Sequence, residues 1–325
     1  MMKKFIIVLA LLAGMGGMSV ASVGEAPRKK VAKAKTAAPR KKAAVRTSAI
    51  SSTPKGIIGS LDKWDYIEVK NLNQLTAEIA KANQLAPTVI KSFDTRNPAK
   101  TGLSDVEKVA AYGDYLSSYI SNSAQYNENT MSMAWGVSLQ WKYYEFAATY
   151  IYGRIAAKME SDEARSACYN AILGEESFYN FSSALLANLG SLDSYGGSFI
   201  AVSYPHQLLS YRKDWINMLV AQYQMLSGQP AGDGKADLLS TWSKIEKQAK
   251  KEIAESSEWL PADALADMGL SDVSGSFREG AARGEAALKA CGKWLNVIGK
   301  SELSSAFEKA ADTMLKGWLK TMAGD

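Results

Sequence analysis

Residues 130–159 read TMSMAWGVSLQWKYYEFAATYIYGRIAAKM. Trp135, Leu139, Tyr143, Phe146 and Tyr150 recur every three or four residues and fill one side of a helix. Trp141, Tyr144, Ala148, Ile151 and Ile155 fill another. A helix that is apolar on two sides must be covered on both, so this segment is expected at the centre of a bundle. Lys142, Glu145 and Arg154 interrupt it, and no uncharged run reaches the roughly 18 residues that a membrane span needs. Lys142 lies three residues before Glu145 on the same face, which predicts an ion pair between them.

The same spacing continues on both sides, from about residue 60 to the end, with no alternating run bounded by hairpin turns. The chain therefore reads as all-α, a multi-helix bundle of about eight helices. Their expected spans are 71–92, 104–126, 130–159, 162–189, 197–227, 236–258, 272–298 and 301–323. Ser104 with Glu107 forms a capping-box pattern, and Ser161 and Ser301 are followed at once by acids that suit a helix N-terminus. In the last helix Leu303, Phe307, Ala310, Ala311, Met314, Trp318 and Met322 form the core-facing stripe. Glu308, Asp312, Lys316 and Lys320 line the opposite side.

Two segments depart from this pattern. From Ser177 to Tyr211 the only formally charged side chain is Asp193, which points to burial among neighbours or to a polar cavity lining. The loop from Gly228 to Lys235, GQPAGDGK, is the strongest punctuation and marks a possible subdomain boundary at 228–235. The roughly 90 residues beyond it make a small core on their own, so 56–325 is read as one domain. The eight tryptophans show no period, which argues against a tandem-helix solenoid.

Charge is divided unevenly along the 325 residues. Residues 1–55 hold 12 of the 38 Lys/Arg but one acid, Glu25, a local +11; the remaining 26 cations and 32 anions give 56–325 a net −6. A body of that sign has no general attraction for nucleic acid or an anionic membrane, so polyanion binding belongs to the N-terminal segment.

Within that segment, residues 1–21 have the form of a secretory signal peptide, with Lys3 and Lys4 before the apolar run from Phe5 and Ser19-Val20-Ala21 as the cleavage site. Nine Lys/Arg between Arg28 and Arg46 oppose translocation without abolishing the pattern. No cysteine stands near the end of the apolar run, so a thioether lipid anchor is not expected. Residues 22–55 contain no aromatic residue and are rich in Lys, Ala and Pro, the composition of a disordered tail. Such a tail is either a solvated spacer or an arm for an anionic surface, engaged through residues 28–55.

One histidine in the whole chain excludes three-His zinc sites and di-iron bundles built on paired Glu-x-x-His, and neither a metal nor a cofactor is expected. His206 is the only imidazole for a nucleophilic triad and has neither a Gly-x-Ser-x-Gly elbow nor a cysteine beside it. Acid/base work without histidine needs two carboxylates, and Glu145 with Glu176 of the Glu175-Glu176 pair are the candidates inside apolar helices, as in a carbohydrate-active hydrolase. Tyr179, Tyr195, Tyr204 and His206 would line a small-ligand pocket.

Cys168 and Cys291 are expected to form a disulfide. Gly280, Gly284, Ala287 and Cys291 make a small-residue stripe on one helix, and Ala164, Cys168 and Ala171 one on another. In sum the sequence predicts an exported protein, periplasmic or secreted and not an enzyme, whose body binds a partner protein, envelope component or ligand. No specific nucleic acid and no transmembrane span in the mature chain are expected.

Overall fold

The computed structural model describes residues 54–65, 67–189, 191, 198–228 and 273–322. Residues 1–53, the loop after Gly228, the expected helix 236–258 and Tyr195 lie outside these residues. The described chain is all-α, a bundle of eight α-helices with no strand among those residues. They are α1 (Lys55–Asp62), α2 (Leu72–Arg96), α3 (Asp105–Ser121), α4 (Thr130–Ala156), α5 (Asp162–Leu189), α6 (Ile200–Leu226), α7 (Val273–Val297) and α8 (Ser301–Met322). A 3₁₀ turn, Ala124–Tyr126, precedes α4.

Helix α4 is the centre, as its two apolar sides require. It packs on α6 along one side and on α3, α2 and α1 along others. Tyr143, Phe146, Ala147, Ala148 and Ile151 are fully buried in it. Trp135 is the exception among the expected core residues of α4. It is 43% exposed, lies over Tyr126 and donates its indole N–H to Asp62 at 3.1 Å. Beyond α6 lies α5, which carries α7 on its other side, and α7 and α8 form an antiparallel hairpin. The low-charge stretch is largely interior: Phe178, Tyr179, Ser182, Ser183, Leu185, Ala187, Tyr204, Leu208 and Leu209 are all buried.

Local chemistry sets the helix ends. Ser104 and Glu107 make the expected capping box, and Asn129 makes another with Ser132. Ser161 accepts from the Ala164 N–H at 3.1 Å. Helix α3 stops at Ser121, five residues short of the expected 126. The Asn127 side chain reaches back to the carbonyls of Ile120, Ser121 and Ser123 and takes the place of further helical hydrogen bonds. Helix α7 closes in a Schellman motif. Lys300 N–H donates to Leu295 O and Gly299 N–H to Asn296 O, with Gly299 at φ 74°, a value that a side chain would strain.

Helix α1 was not anticipated from the sequence. It begins at Lys55, and Ile57, Ile58, Leu61 and the following Trp64 are buried against the bundle. Among the described residues, no helix is long and apolar enough to cross a membrane.

Candidate functional site

The most unusual chemistry lies in a layer shared by α4, α5, α6 and α7. Arg212 of α6 stands on the face defined by Leu208, Trp215 and Leu219, where an apolar residue would be usual, and is 1% exposed. Its Nη1 donates to Glu176 Oε1 at 2.8 Å and its Nη2 to Glu176 Oε2 at 3.2 Å and to Glu145 Oε2 at 2.6 Å. The Tyr179 ring lies 4.0 Å from the guanidinium carbon, its π face toward the cation. Trp215 packs on Tyr179 and donates to the Tyr152 hydroxyl at 2.8 Å.

Next to Glu176 in the chain, Glu175 Oε1 accepts from Gln222 Nε2, farther along α6, at 2.8 Å and from Cys291 Sγ of α7 at 3.1 Å.

Two buried carboxyl groups, Glu145 and Glu176, thus share one buried cation, and the third, Glu175, has an amide and a thiol as its hydrogen-bond partners. Burial pushes Glu145 up to about 7; the Arg212 charge opposes this and Glu176 reinforces it. Burial likewise pushes Glu175 up to about 7, against the hydrogen bonds from Cys291 and Gln222. For Arg212 burial works against the charge, but the Glu145 and Glu176 carboxylates outweigh it and hold the guanidinium well above its usual value. Burial also raises the Tyr179 and Tyr152 hydroxyls well above the ordinary range.

The expected Lys142–Glu145 pair is not formed. The Lys142 ammonium donates to the Asp62 carbonyl at 3.0 Å, on the α1 side of α4, whereas Glu145 faces α6. Partial burial lowers the Lys142 pKa, with Asp62 and Asp65 opposing. The expected disulfide is also corrected: Cys168 and Cys291 are two free, buried thiols. The small-residue faces of α5 and α7 do meet. Their close approach falls at Gly174, where an added Cβ would lie 3.1 Å from Ala287 Cα, and the Cys291 sulfur turns to Glu175 instead. Burial pushes both thiols up, away from the thiolate that nucleophilic work needs.

Comparison with protein families, with characterised proteins and with solved structures returns no match.

Of the residues singled out in the sequence, the fold brings Glu145, Glu176 and Tyr179 together on Arg212. Tyr204 is buried in a separate cluster with Ala187 and Leu208, and Trp141 borders both clusters. His206, two residues from Tyr204 on α6, is exposed. A glycosidase pair holds its two carboxyl groups across a space that the substrate enters. Here the Arg212 guanidinium occupies the space between Glu145 and Glu176, which are 2% and 4% exposed. The arrangement locks α4, α5 and α6 in register. Among the described residues, no group of His, Cys, Asp and Glu is placed to hold a metal ion.

The residue that sequence reasoning missed is Arg212, and its signal was present. Leu208, Arg212, Trp215, Leu219 and Gln222 are spaced four, three, four and three apart, a core stripe with two polar members. Cys168, Ala171, Glu175, Phe178 and Ser182 make the matching stripe on α5.

Proposed function

We propose that this chain is an exported, non-enzymatic helical protein whose cationic N-terminal arm holds it to an anionic envelope surface while its body engages a partner protein or ligand. The observation that carries this reading is the charge partition, +11 over residues 1–55 against −6 over 56–325, next to an apolar leader with a small-residue cleavage pattern. Attraction of this kind is worth about 1 kcal/mol per cation at an anionic bilayer and fades with salt. The non-enzymatic part is supported by the Arg212 layer, whose carboxylates are engaged in the dry interior.

Co-sedimentation with phosphatidylglycerol-containing vesicles tests the arm. The full chain should bind at low salt and be released at high salt, and a deletion of 27–47 should not bind. Binding retained by the deletion would place adhesion in the body and defeat the proposal. A carbohydrate-active hydrolase using Glu145 and Glu176 would be favoured instead if Glu145→Gln abolished a glycan-cleaving activity while leaving stability unchanged.

A further inference from the structure

Glu175 differs from its two acidic neighbours in what it touches. Glu145 and Glu176 meet a guanidinium, whereas Glu175, 2% exposed, among the described residues bonds only the Gln222 amide and the Cys291 thiol. An ionised carboxylate with neutral partners in a dry interior is strongly disfavoured, so the packed state holds Glu175 as a neutral acid.

Of the other titratable groups facing it, Glu176 on its own helix reinforces this, the hydrogen bond from the Cys291 thiol of α7 opposes it, and Cys168 on its own helix and Tyr152 from α4 are kept uncharged by burial. None of them carries positive charge, and the Arg212 guanidinium is already engaged by Glu145 and Glu176.

Glu175 also sits at a joint. Among the described residues, the α7–α8 hairpin reaches the rest of the bundle chiefly through α5. Contacts at that seam include the Gly174–Ala287 approach, Arg283 Nη1 on Ser177 Oγ at 3.3 Å and the Cys291–Glu175 bond, with the Trp294 indole N–H on the sulfur of Met159, just before α5, at 3.1 Å. Removing the proton from Glu175 places an uncompensated charge in the seam. Opening the seam lets water reach that charge.

We propose that Glu175 is a proton-loaded clasp: its neutral carboxyl holds the α7–α8 hairpin against α5, and its ionisation releases the hairpin from a body that stays folded. The chemistry is one proton lost to solvent from Glu175 Oε, with no covalent change. The hairpin is docked in mildly acidic surroundings and loosened as the pH rises through neutrality.

Hydrogen exchange of the full chain between pH 5 and 8, each amide rate divided by its intrinsic rate at that pH, tests this. Amides of α7 should be less protected than those of α4, and their protection should fall about tenfold per pH unit up to about pH 7 and then level off. In Glu175→Gln the α7 protection should become independent of pH, while α4 keeps a pH dependence through Glu145. Should Glu175→Gln fail to fold, Glu175→Leu combined with Gln222→Leu removes both ends of the bond and should give the same flat profile. Exchange of α7 together with α4 at every pH, or a slope in α7 that survives either substitution, would overturn the proposal.

Discussion

Arg212 stands where Leu208, Trp215 and Leu219 would lead one to expect another apolar side chain, and the bundle accommodates it by supplying two carboxylates and an aromatic face. Lys142 is on the same central helix as Glu145 but has a different role, since it bonds a carbonyl at the end of α1. Replacing Lys142 by Met should therefore cost no more than about 1 kcal/mol in denaturant unfolding, the range of an isolated hydrogen bond near the surface. A loss several times larger would mean that Lys142 supports the buried layer after all.

The carboxyls themselves predict a pH profile. Glu145 and Glu175 are each pushed up to about 7 from an unfolded value near 4.5, so the folded chain binds more protons than the unfolded one between those limits. Stability should be greatest below about pH 4.5 as far as these two groups are concerned and fall as pH rises to about 7. The fall should be roughly 3 kcal/mol for Glu175, with Glu145, tied to Arg212 and Glu176, adding in the same direction. Urea titrations at pH 5 and pH 8 measure it, and a higher midpoint at pH 8 would contradict the buried placement of these acids.

At this scale the sequence was only partly legible. Glu145, Glu176 and Tyr179 stand out as polar residues in apolar surroundings. Their common partner is 36 residues from Glu176 and 67 from Glu145, and local spacing carries no information about such a contact.

The helices were more legible than their ends. Stripes of apolar residues at intervals of three and four report burial directly, which is why α2 to α8 fall close to their expected spans. Helix α1 is eight residues long, too short for its stripe to repeat, and owes its existence to packing rather than to propensity. The end of α3 was missed because the stop signal is the side chain of Asn127, which lies beyond the helix and bonds backward.

Two substitutions test the elements. Ser104→Ala removes one half of the capping box that opens α3 and should cost about 1 kcal/mol. Gly174→Ala would ordinarily gain helix propensity of about 1 kcal/mol, but its Cβ would meet the Ala287 backbone at 3.1 Å. The α5–α7 seam has to widen, and the net effect should be destabilising by about 1 to 2 kcal/mol. A stabilised Gly174→Ala variant in thermal unfolding would show that the seam gives way more easily than its packing implies.

Across the whole molecule, charge serves two opposite purposes. In the function proposed above, the 12 cations before residue 56 serve to meet an anionic surface. The charges of the Arg212 layer are withdrawn from water and tie α4, α5 and α6 together. The second purpose distinguishes a scaffold from a catalyst built on the same two glutamates, and the global unfolding free energy at pH 7 separates them. Arg212→Met leaves Glu145 and Glu176 facing each other in the interior and should cost about 3 to 5 kcal/mol. Replacing Glu145, Glu176 and Arg212 together by Leu, Leu and Met should recover most of that loss. An Arg212→Met variant as stable as the wild type, or a triple variant no better than the single one, would contradict a buried charge layer that holds the fold.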